Sequence, residues 1–395
     1  MRVAVPAETV PGERRVAVTP ETVGQLVGAG LEVLVQSGAG RHSFISDDDY
    51  AVAGAKVAAR VDADAVDVLL HVRPLHRRLP ERLHPGAVTV GFCSPSTELP
   101  TVAALRDAKV TSFAMELVPR ISRAQSMDAL TSQALVGGYR SALEAATRLP
   151  RFYPLFMTAA GTVPPARVLV LGAGVAGLQA IATAKRLGAK VFGYDVRPAS
   201  ADEVRSMGAT FVELELESLE GAGGYAREMT QDRAARQREL LAPHVAEADV
   251  LITTAAVPGR AAPLLVTRDM VAAMRPGSVV VDLAAESGGN VEGSVAGEQV
   301  EVPAGDDHGV VTVVGMQDAA STLPVDASRL YAKNVANLLL LMTRDGRVSP
   351  DFGDEVVAGT CLTHDGVVLH EPTAQLLASR KPETGAPAPS AEKEA

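Results

Sequence analysis

The chain has 395 residues and a formal net charge of −10, with 37 Lys and Arg against 47 Asp and Glu. This acidic balance argues against nucleic acid as the main partner, because phosphate contacts need a basic face. Apolar residues make up 47% of the chain and aromatic residues only 4%. We therefore expect two or three domains whose cores consist mainly of Ala, Val and Leu.

The cysteines and the apolar runs bear on the location of the protein. Cys93 and Cys361 lie far apart, which favours a reducing compartment over a disulfide framework. The histidines and cysteines show no metal-ligand spacing, so we expect no metal. No apolar run is suited to crossing a bilayer, and no signal peptide precedes the strand-like start at Arg2. These features predict a cytoplasmic protein.

Short apolar runs alternate with helix-like segments over the first 115 residues. Thr19 and Pro20 form an N-cap with proline at the first helical position, and Ser46 precedes three aspartates that suit a helix N-terminus. Alternating strands and helices predict a parallel sheet covered on both faces. The predicted strands are Arg2–Pro6, Glu32–Gln36, Val66–Val72, Val88–Phe92 and Val110–Ala114.

The rest of the chain predicts a second α/β unit between two helices. A polar segment, residues 116–135, runs into an Ala-rich helix predicted from Ser126 to Arg148. A second helix is predicted from Ala332 to Met342. Between the two helices, the later strands are predicted at Asp249–Thr254, Ser278–Leu283 and Val310–Val314.

A glycine-rich turn carries the most informative local pattern. Gly172, Gly174 and Gly177 match G-x-G-x-x-G between the apolar run VLVL and a helical segment, the context that dinucleotide binding requires. Gly172 permits the tight turn, Gly174 lets the backbone approach a pyrophosphate, and Gly177 lets the helix lie close to the strand. The N–H groups at the helix N-terminus favour phosphate, so the predicted binding set includes Val175.

The end of the next predicted strand bears on which dinucleotide binds. Asp195 lies 18 residues after Gly177, where an acid accepts hydrogen bonds from the adenosine ribose. The same acid would repel a 2′-phosphate, so NAD(H) is favoured over NADP(H). Arg197 argues the other way, because an arginine near this point can accommodate that phosphate. We include Val196 and Arg197 in the predicted binding set. A methyl-donor nucleotide, or no ligand, stays open as an alternative for the turn.

Two later loops fit the same site. The strand DVLIT runs into a loop in which Ala255 and Ala256 are small enough for a cofactor to lie against the backbone. The strand SVVVDL ends in a second, Gly-rich loop. Ligands of open α/β sheets bind beyond the carboxyl ends of the strands. Contact with a cofactor and plain packing both stay open for these loops.

Several long segments carry a resemblance to one family: ELVPRISRAQSMDAL, TAAGTVPPARVLVLGAGVAGLQAIATAKRLGA, GGYAREM, TTAAVPGRAAP and KNVANLL. They resemble the NAD(H)-binding component of proton-translocating NAD(P) transhydrogenase, and the resemblance covers the chain to about residue 375. It implies that NADH binds here, that NADP(H) binds a separate component, and that hydride passes directly between the two nicotinamides. It also implies a homodimer at the cytoplasmic face of the membrane, active only with its NADP(H)-binding partner and coupled to proton movement by membrane subunits.

The resemblance also assigns individual residues. An arginine, a glutamine and an aspartate of the family hold the nicotinamide end of the cofactor, and we take their matches as the catalytic set: Arg120, Gln125 and Asp128. Thr131 stands where the family often has serine, and its hydroxyl can serve similarly. Tyr225, with Gly224 beside it, matches a tyrosine on a mobile loop that closes over bound nucleotide.

Two other functions stay open. Alanine dehydrogenase, the nearest relative in fold, needs a lysine and a histidine at its substrate carbonyl and an arginine for the carboxylate. Arg15 matches the arginine, but the lysine position is His71, and the segment Val90–Pro95 contains no histidine. The other alternative is a non-catalytic NAD-binding protein that senses the cofactor or acts as an assembly partner. The segment Met316–Thr322 also departs from the family, in which a Pro-containing string is common there.

Together, these patterns predict an α/β fold with two Rossmann-like, doubly wound parallel-sheet domains and a cofactor cleft between them. The first domain is predicted to comprise residues 1–130 and 325–378, and the NAD-binding Rossmann domain residues 131–324. Two long helices would join the two domains. Residues 379–395 are predicted to be a disordered tail because they are rich in Pro, Ala, Glu and Lys.

Overall fold

A computed structural model describes residues 1–215, 231–257, 259–305 and 309–379. The described chain forms two large sheets flanked by helices, and two small hairpins. The strands are β1 (Arg2–Val5), β2 (Glu32–Gln36), β3 (Lys56–Ala58), β4 (Val68–Leu70), β5 (Val88–Gly91), β6 (Thr111–Ala114), β7 (Phe156–Thr158), β8 (Gly161–Val163), β9 (Arg167–Leu171), β10 (Lys190–Tyr194), β11 (Thr210–Phe211), β12 (Val250–Thr253), β13 (Val279–Asp282), β14 (Gln299–Pro303), β15 (Val310–Gly315), β16 (Thr343–Arg344), β17 (Arg347–Val348), β18 (Cys361–His364) and β19 (Val367–Val368). The helices are α1 (Pro20–Gly28), α2 (Asp47–Val52), α3 (Leu99–Asp107), α4 (Ala129–Arg148), α5 (Val175–Arg186), α6 (Ser200–Ser206), α7 (Gln231–Ala246), α8 (Arg268–Ala272), α9 (Pro324–Leu341), α10 (Glu355–Thr360) and α11 (Glu371–Ser379).

The first sheet has the order β3-β2-β1-β4-β5-β6-β18-β19. Its six N-terminal strands run parallel, which fits the short Val- and Leu-rich runs that are buried in its central strands. The two C-terminal strands are antiparallel, and Cys361 of β18 lies opposite Phe113 of β6. The C-terminal segment therefore completes the sheet that the N-terminal segment begins.

The second sheet has the order β11-β10-β9-β12-β13-β15-β14 and is parallel except for β14. The chain runs from β9 through β10 to β11 on one side and resumes with β12 on the other side of β9. The carboxyl ends of β9 and β12 therefore flank a topological switch point. Ligands of open α/β sheets bind in the crevice at such a point.

The helices α4 and α9 pack against each other between the two sheets. Ser132 Oγ donates to Asn334 Oδ1 at 2.7 Å, and Gln133 Nε2 donates to the carbonyl of Ala327 at 3.1 Å. Helix α4 also lies directly on the start of α5, because a Cβ atom on Gly138 would approach the carbonyl of Ala176 to 2.0 Å. Within the described ranges, no helix is both long and apolar enough to span a bilayer.

The predicted α/β class with two parallel-dominated sheets is confirmed, and the predicted strands lie within two residues of the observed bounds. Several details differ from the prediction. Helix α9 begins at Pro324, well before Ala332, because proline suits the first helical position and Asp326 follows in the first turn. Helix α4 begins at Ala129 because residues 122–127 form a separate 3₁₀ helix. Strand β3 was not predicted, since its run KVA is too short to show alternation.

The hairpin β7–β8 also escaped prediction and belongs to neither large sheet. Its apolar side chains are exposed, and Met157 is 76% exposed. Phe152 and Leu155, just before the hairpin, are likewise exposed, and the rings of Phe152 and Phe156 meet edge to face. A contiguous apolar projection of this kind indicates a contact surface rather than a core element.

Candidate functional site

The glycine-rich turn connects β9 to α5 at the switch point of the second sheet. Gly172 has φ +97°, a backbone conformation that glycine adopts without strain. Gly177 is buried, and a Cβ atom there would approach the carbonyl oxygen of Gly172 to 1.8 Å, so the strand and the helix meet only because it is glycine. Gly174 is the exposed N-cap of α5, and Val175, which begins the helix, is 37% exposed. The turn therefore presents an open helix N-terminus, which suits a phosphate group.

Asp195 follows β10, the strand beside β9, and its carboxylate faces the turn. It accepts the Ala173 N–H at 2.7 Å. Arg197 donates its backbone N–H, Nε and Nη2 to the same carboxylate at 2.9, 2.9 and 3.0 Å. Asp195, which favours NAD(H), and Arg197, which favours NADP(H), thus form one ion pair beside the half-buried Val196. The carboxylate holds the guanidinium, so the cation is neutralised where a 2′-phosphate would need it.

The loop after β12 packs directly on the glycine turn. Thr254 Oγ1 donates to the carbonyl of Gly172 at 3.1 Å. A Cβ atom on Gly172 would meet the backbone nitrogen of Ala255 at 3.1 Å. Ala256, the next residue, is exposed. The structure therefore brings Gly172, Asp195 and Ala255 to the carboxyl ends of neighbouring strands, and small side chains keep the space beyond them open.

The polar loop from residue 120 to residue 128 lies on the first-sheet side and is tightly held. The carbonyl of Ser126 accepts from Asn334 Nδ2 at 2.9 Å and from Asn337 Nδ2 at 3.0 Å. Arg123 donates from both terminal nitrogens to the two carboxylate oxygens of Asp354 at 2.6 and 2.8 Å. Ala124 and Met127 are buried in the core of the first domain. The fixed backbone presents Arg120 and Gln125 as exposed side chains.

Asp128 plays a structural role that the sequence did not reveal. Its carboxylate caps α4 by accepting the Thr131 N–H at 2.9 Å and the Thr131 hydroxyl at 2.6 Å. From this cap, α4 runs to Gly138, which touches Ala176 in the glycine turn. Ten helical residues span about 15 Å, so α4 sets the distance between the polar loop and the turn. Gly224 and Tyr225 lie outside the described residues.

A buried ion-pair cluster occupies the junction between the two sheets. Arg15 donates Nε and Nη2 to Glu13 at 2.8 and 2.7 Å, and Nη1 to Gln133 Oε1 at 2.9 Å. Arg73 donates Nε to the same Glu13 at 2.7 Å and also pairs with Asp318. Burial alone would raise the pKa of Glu13, but the bonds from Arg15 outweigh it and lower the pKa to about 2. Of this cluster, only Arg15 was identified from the sequence. The sequence feature that could have indicated the cluster is the pair of opposite charges at Glu13 and Arg15, two residues apart.

His71 lies beside this cluster and is fully enclosed. Its Nδ1 bonds to the carbonyl of Arg73 at 2.7 Å, and its Nε2 has no hydrogen-bond partner among the described residues. Burial lowers the pKa of His71 to about 4, so the imidazole is neutral at physiological pH. Tyr331 donates its hydroxyl to the His71 carbonyl at 2.7 Å, and burial raises the Tyr331 pKa well above its usual value. Both side chains therefore stay neutral near pH 7.

Glu8 is the acid of this region whose charge changes near neutrality. Its carboxylate accepts the N–H groups of Val72 at 2.6 Å and Arg73 at 3.4 Å. Burial nevertheless raises its pKa to about 7, and the nearby charge of Glu13 acts in the same direction. The folded protein therefore binds this proton more tightly than the unfolded chain does.

We expect the Glu8→Gln variant to gain stability relative to the wild-type protein as pH rises from 4.5 to 7. A raised pKa stabilises the fold fully below pH 4.5, and the contribution is lost as the pH passes through about 7, a total of at most about 3 kcal/mol. Urea unfolding of both proteins across this range measures the difference. Glu81→Gln, at an exposed acid of the same domain, is the control. A constant difference between E8Q and wild type would contradict the prediction.

Comparison with known proteins identifies the family. Models of the alanine dehydrogenase/PNT N-terminal and C-terminal domains match residues 4–137 and 141–371. The chain belongs to the alanine dehydrogenase/PNT family. An NAD(P) transhydrogenase subunit alpha chain of Rhodospirillum rubrum is 46% identical over 382 residues, which cover 94% of this chain and 98% of the relative. Alanine dehydrogenase of Mycobacterium tuberculosis is 36% identical over 300 residues, which cover 74% of this chain and 75% of the relative.

A solved transhydrogenase structure of Sinorhizobium meliloti matches the fold with a TM-score of 0.81 and 43% identity, covering 94% of this chain and all of that one. The family resemblance drawn from the sequence motifs is thereby confirmed. The N-terminal family model covers strands β2–β6 of the first sheet, and the C-terminal model covers the second sheet together with β18 and β19 of the first. Among the described residues, no group of three His, Cys, Asp or Glu side chains is placed to hold a metal ion.

Proposed function

We propose that this chain is the NAD(H)-binding subunit of a proton-translocating NAD(P) transhydrogenase. NADH would bind at the glycine turn, NADP(H) would bind a partner component, and hydride would pass directly between the two nicotinamides. One arrangement supports the proposal most directly. The turn is open at Gly174, the Asp195 carboxylate lies beside it, and the fixed loop exposes Arg120 and Gln125. The relatives named NAD(P) transhydrogenase subunit alpha add support.

The residues at the turn fit a dinucleotide. Gly174 and Val175 leave the N-terminus of α5 open for a pyrophosphate, and the Asp195 carboxylate lies where an adenosine ribose would donate its hydroxyls. The Asp195 charge favours NAD(H) over NADP(H). The reduced nicotinamide supplies the hydride, which two aligned rings can exchange without a proton donor or acceptor.

The polar loop would orient the reacting end of the cofactor. Gln125 offers both a donor and an acceptor to a ribose or a carboxamide, and Arg120 offers a planar set of donors. Asp128 contributes by fixing the start of α4, since both of its carboxylate oxygens are bonded to Thr131. The chain would thus contribute positioning rather than acid–base chemistry, which suits transfer between two held cofactors.

We infer further that the protein assembles as a homodimer and docks on membrane subunits at the cytoplasmic face. The exposed apolar hairpin β7–β8 supports a contact between copies, because an apolar projection of this kind is stable when a partner covers it. The exposed fixed loop supports docking of an NADP(H)-binding partner, since direct transfer requires an accessible nicotinamide. Nothing in the charge balance favours nucleic acid.

Alanine dehydrogenase is the second candidate, favoured by the 36% identity to such an enzyme. The geometry argues against it. Arg15 is already paired with Glu13 and Gln133, so it would have to leave both to hold a substrate carboxylate. His71, at the lysine position, is buried and neutral, with a pKa of about 4. A non-catalytic NAD-binding protein is the third candidate.

Calorimetry with NADH and NADPH, followed by mixing with an NADP(H)-binding component, tests the proposal. We expect NADH to bind at least 10-fold more tightly than NADPH, a difference of about 1.4 kcal/mol or more, because Asp195 suits the ribose hydroxyls and its pairing with Arg197 leaves no net positive charge for a 2′-phosphate. Hydride transfer should begin only on mixing. Pyruvate reduction in the presence of ammonium would instead assign an alanine dehydrogenase. NADH binding with neither reaction would assign a non-catalytic binding protein.

A further inference from the structure

One buried amide bonds to both Ala255 and Pro263, which bound the loop of residues 255–257 and 259–263. Asn290 Oδ1 accepts the Ala255 N–H at 3.0 Å, and Asn290 Nδ2 donates to the Ala255 carbonyl at 2.8 Å. The same Nδ2 donates to the Pro263 carbonyl at 2.8 Å. Asn290 is 0% exposed. A primary amide carries a donor and an acceptor in one plane, so this side chain pairs with the backbone of Ala255 as a neighbouring strand would.

The backbone of Asn290 is itself fixed by Asp282, at the end of β13. Asp282 Oδ2 accepts the Asn290 N–H at 2.9 Å, and Asp282 Oδ1 accepts the Thr253 hydroxyl at 2.9 Å and the Ala284 N–H at 3.0 Å. The Asn290 carbonyl accepts the N–H groups of Leu265 and Val266 at 2.8 and 3.0 Å. Every polar group of Asn290 is bonded, so the amide cannot turn without breaking several buried hydrogen bonds.

The fixed loop lies between the glycine turn and the first domain. At its start, the Ala255 nitrogen lies against Gly172, where a Cβ atom would come within 3.1 Å of it. Further along, Gly259 faces Ser96 of the first domain, and a Cβ atom on Gly259 would lie 3.2 Å from Ser96 Oγ. Ala255 therefore borders the glycine turn, and Gly259 borders the first domain.

We propose that Asn290 is a positioning residue for the cofactor: it fixes Ala255 and Pro263 and so shapes the wall of the nucleotide cleft. This inference rests on the proposed binding of NADH at the glycine turn. Asn290 acts through Ala255 and touches no cofactor atom. Because the Asn290 amide bonds both backbone groups of Ala255, that residue turns only its methyl group to the cleft, and the glycine turn beside it binds the pyrophosphate.

Two variants test the role of Asn290. Asn290→Ala removes all three side-chain bonds, whereas Asn290→Asp keeps an acceptor for the Ala255 N–H but cannot donate to the two carbonyls. Thr363→Val is the matched control, because the buried Thr363 hydroxyl donates to the Val110 carbonyl at 2.8 Å in the first sheet. All three variants lose buried hydrogen bonds, but only the first two alter the loop.

Hydrogen exchange and NADH titration are the two measurements. We expect the backbone amides of residues 255–257 and 259–262 to exchange at least 10-fold faster in N290A than in wild type, and those of β12 to change little. The dissociation constant for NADH should rise at least 10-fold in N290A and N290D. It should stay within 2-fold of the wild-type value in T363V, even if the melting temperature of T363V falls as far as that of N290A.

The outcomes separate the inference from the proposed function. Wild-type protein that does not bind NADH would overturn the proposed function, while faster loop exchange would still establish the pinning by Asn290. Wild-type binding with unchanged NADH affinity in N290A would overturn the positioning role and leave the proposed function intact. Equal losses of affinity in T363V and N290A would assign the effect to stability and overturn the positioning role as well.

Discussion

Replacing Asp195 by Ala is expected to weaken NADH binding by about 10- to 100-fold, which corresponds to a charge-assisted hydrogen bond of about 1.5–3 kcal/mol. The Asp195 carboxylate is the acceptor next to the glycine turn that suits the adenosine ribose. The same change removes the partner that now holds Arg197 through three N–H groups. Without the Asp195 carboxylate, the positive charge of Arg197 is no longer offset by that acid, so NADPH binding should improve relative to NADH binding.

Calorimetric titration with both dinucleotides measures this change. Asp195→Asn is the companion variant, because it keeps an acceptor for the Ala173 N–H while removing the charge. Asp202→Ala is the matched control: Asp202 lies on the following helix, is highly exposed, and pairs with Arg205. Unchanged selectivity in D195A, or an equal effect in D202A, would remove Asp195 from the binding site.

The sheets were predictable because parallel strands have a local signal. Runs such as VLVL in β9 and VVVD in β13 are apolar on both faces, and glycine, proline or charge ends them. Helix α9 shows the limit. In its first two turns, from Pro324, the polar Ser328 is buried against the first domain whereas Val325 is exposed, so the apolar pattern begins later than the helix. Tertiary contacts there override the periodicity.

The glycine turn was predictable for the same reason, since its three glycines and their flanks lie within one short segment. Its geometry agrees with the pattern: Gly172 has a positive φ, and Gly177 has no room for a side chain. The pairing of Asp195 with Arg197 was not foreseen, although both residues were identified. The sequence shows two opposed charges two residues apart, but only the fold shows that they bond to each other.

The buried cluster at the domain junction could not be predicted, because its members are distant in sequence. Glu13 and Arg73 are separated by 60 residues, and Asp318 joins them from the other end of the chain. The same is true of Asn290 and Ala255, which are 35 residues apart. Such polar networks depend on which loops meet in the fold, and one sequence taken by itself does not show which loops those are.

Replacing Gly174 by Ala is expected to abolish measurable NADH binding, a loss of at least 100-fold, while leaving the fold intact. A Cβ atom at Gly174 would have no neighbour within 4 Å, and its φ of −77° is open to any residue. The cost to stability is limited to the poorer N-cap, up to about 1 kcal/mol. A dinucleotide at this turn would place its pyrophosphate against the backbone, where a methyl group would prevent the approach.

Gly177→Ala provides the contrast that makes the test decisive. Its added Cβ would approach the Gly172 oxygen to 1.8 Å, so the turn itself must distort and the free energy of unfolding should fall by several kcal/mol, roughly as for other overpacked sites. Gly24→Ala, in α1 with no atom near the added Cβ, is the neutral control. Urea unfolding and NADH fluorescence titration of the three variants separate stability from binding. If G174A unfolds like the wild-type protein and still binds NADH with wild-type affinity, the cofactor does not cross this turn, and the proposed site is wrong whatever G177A does.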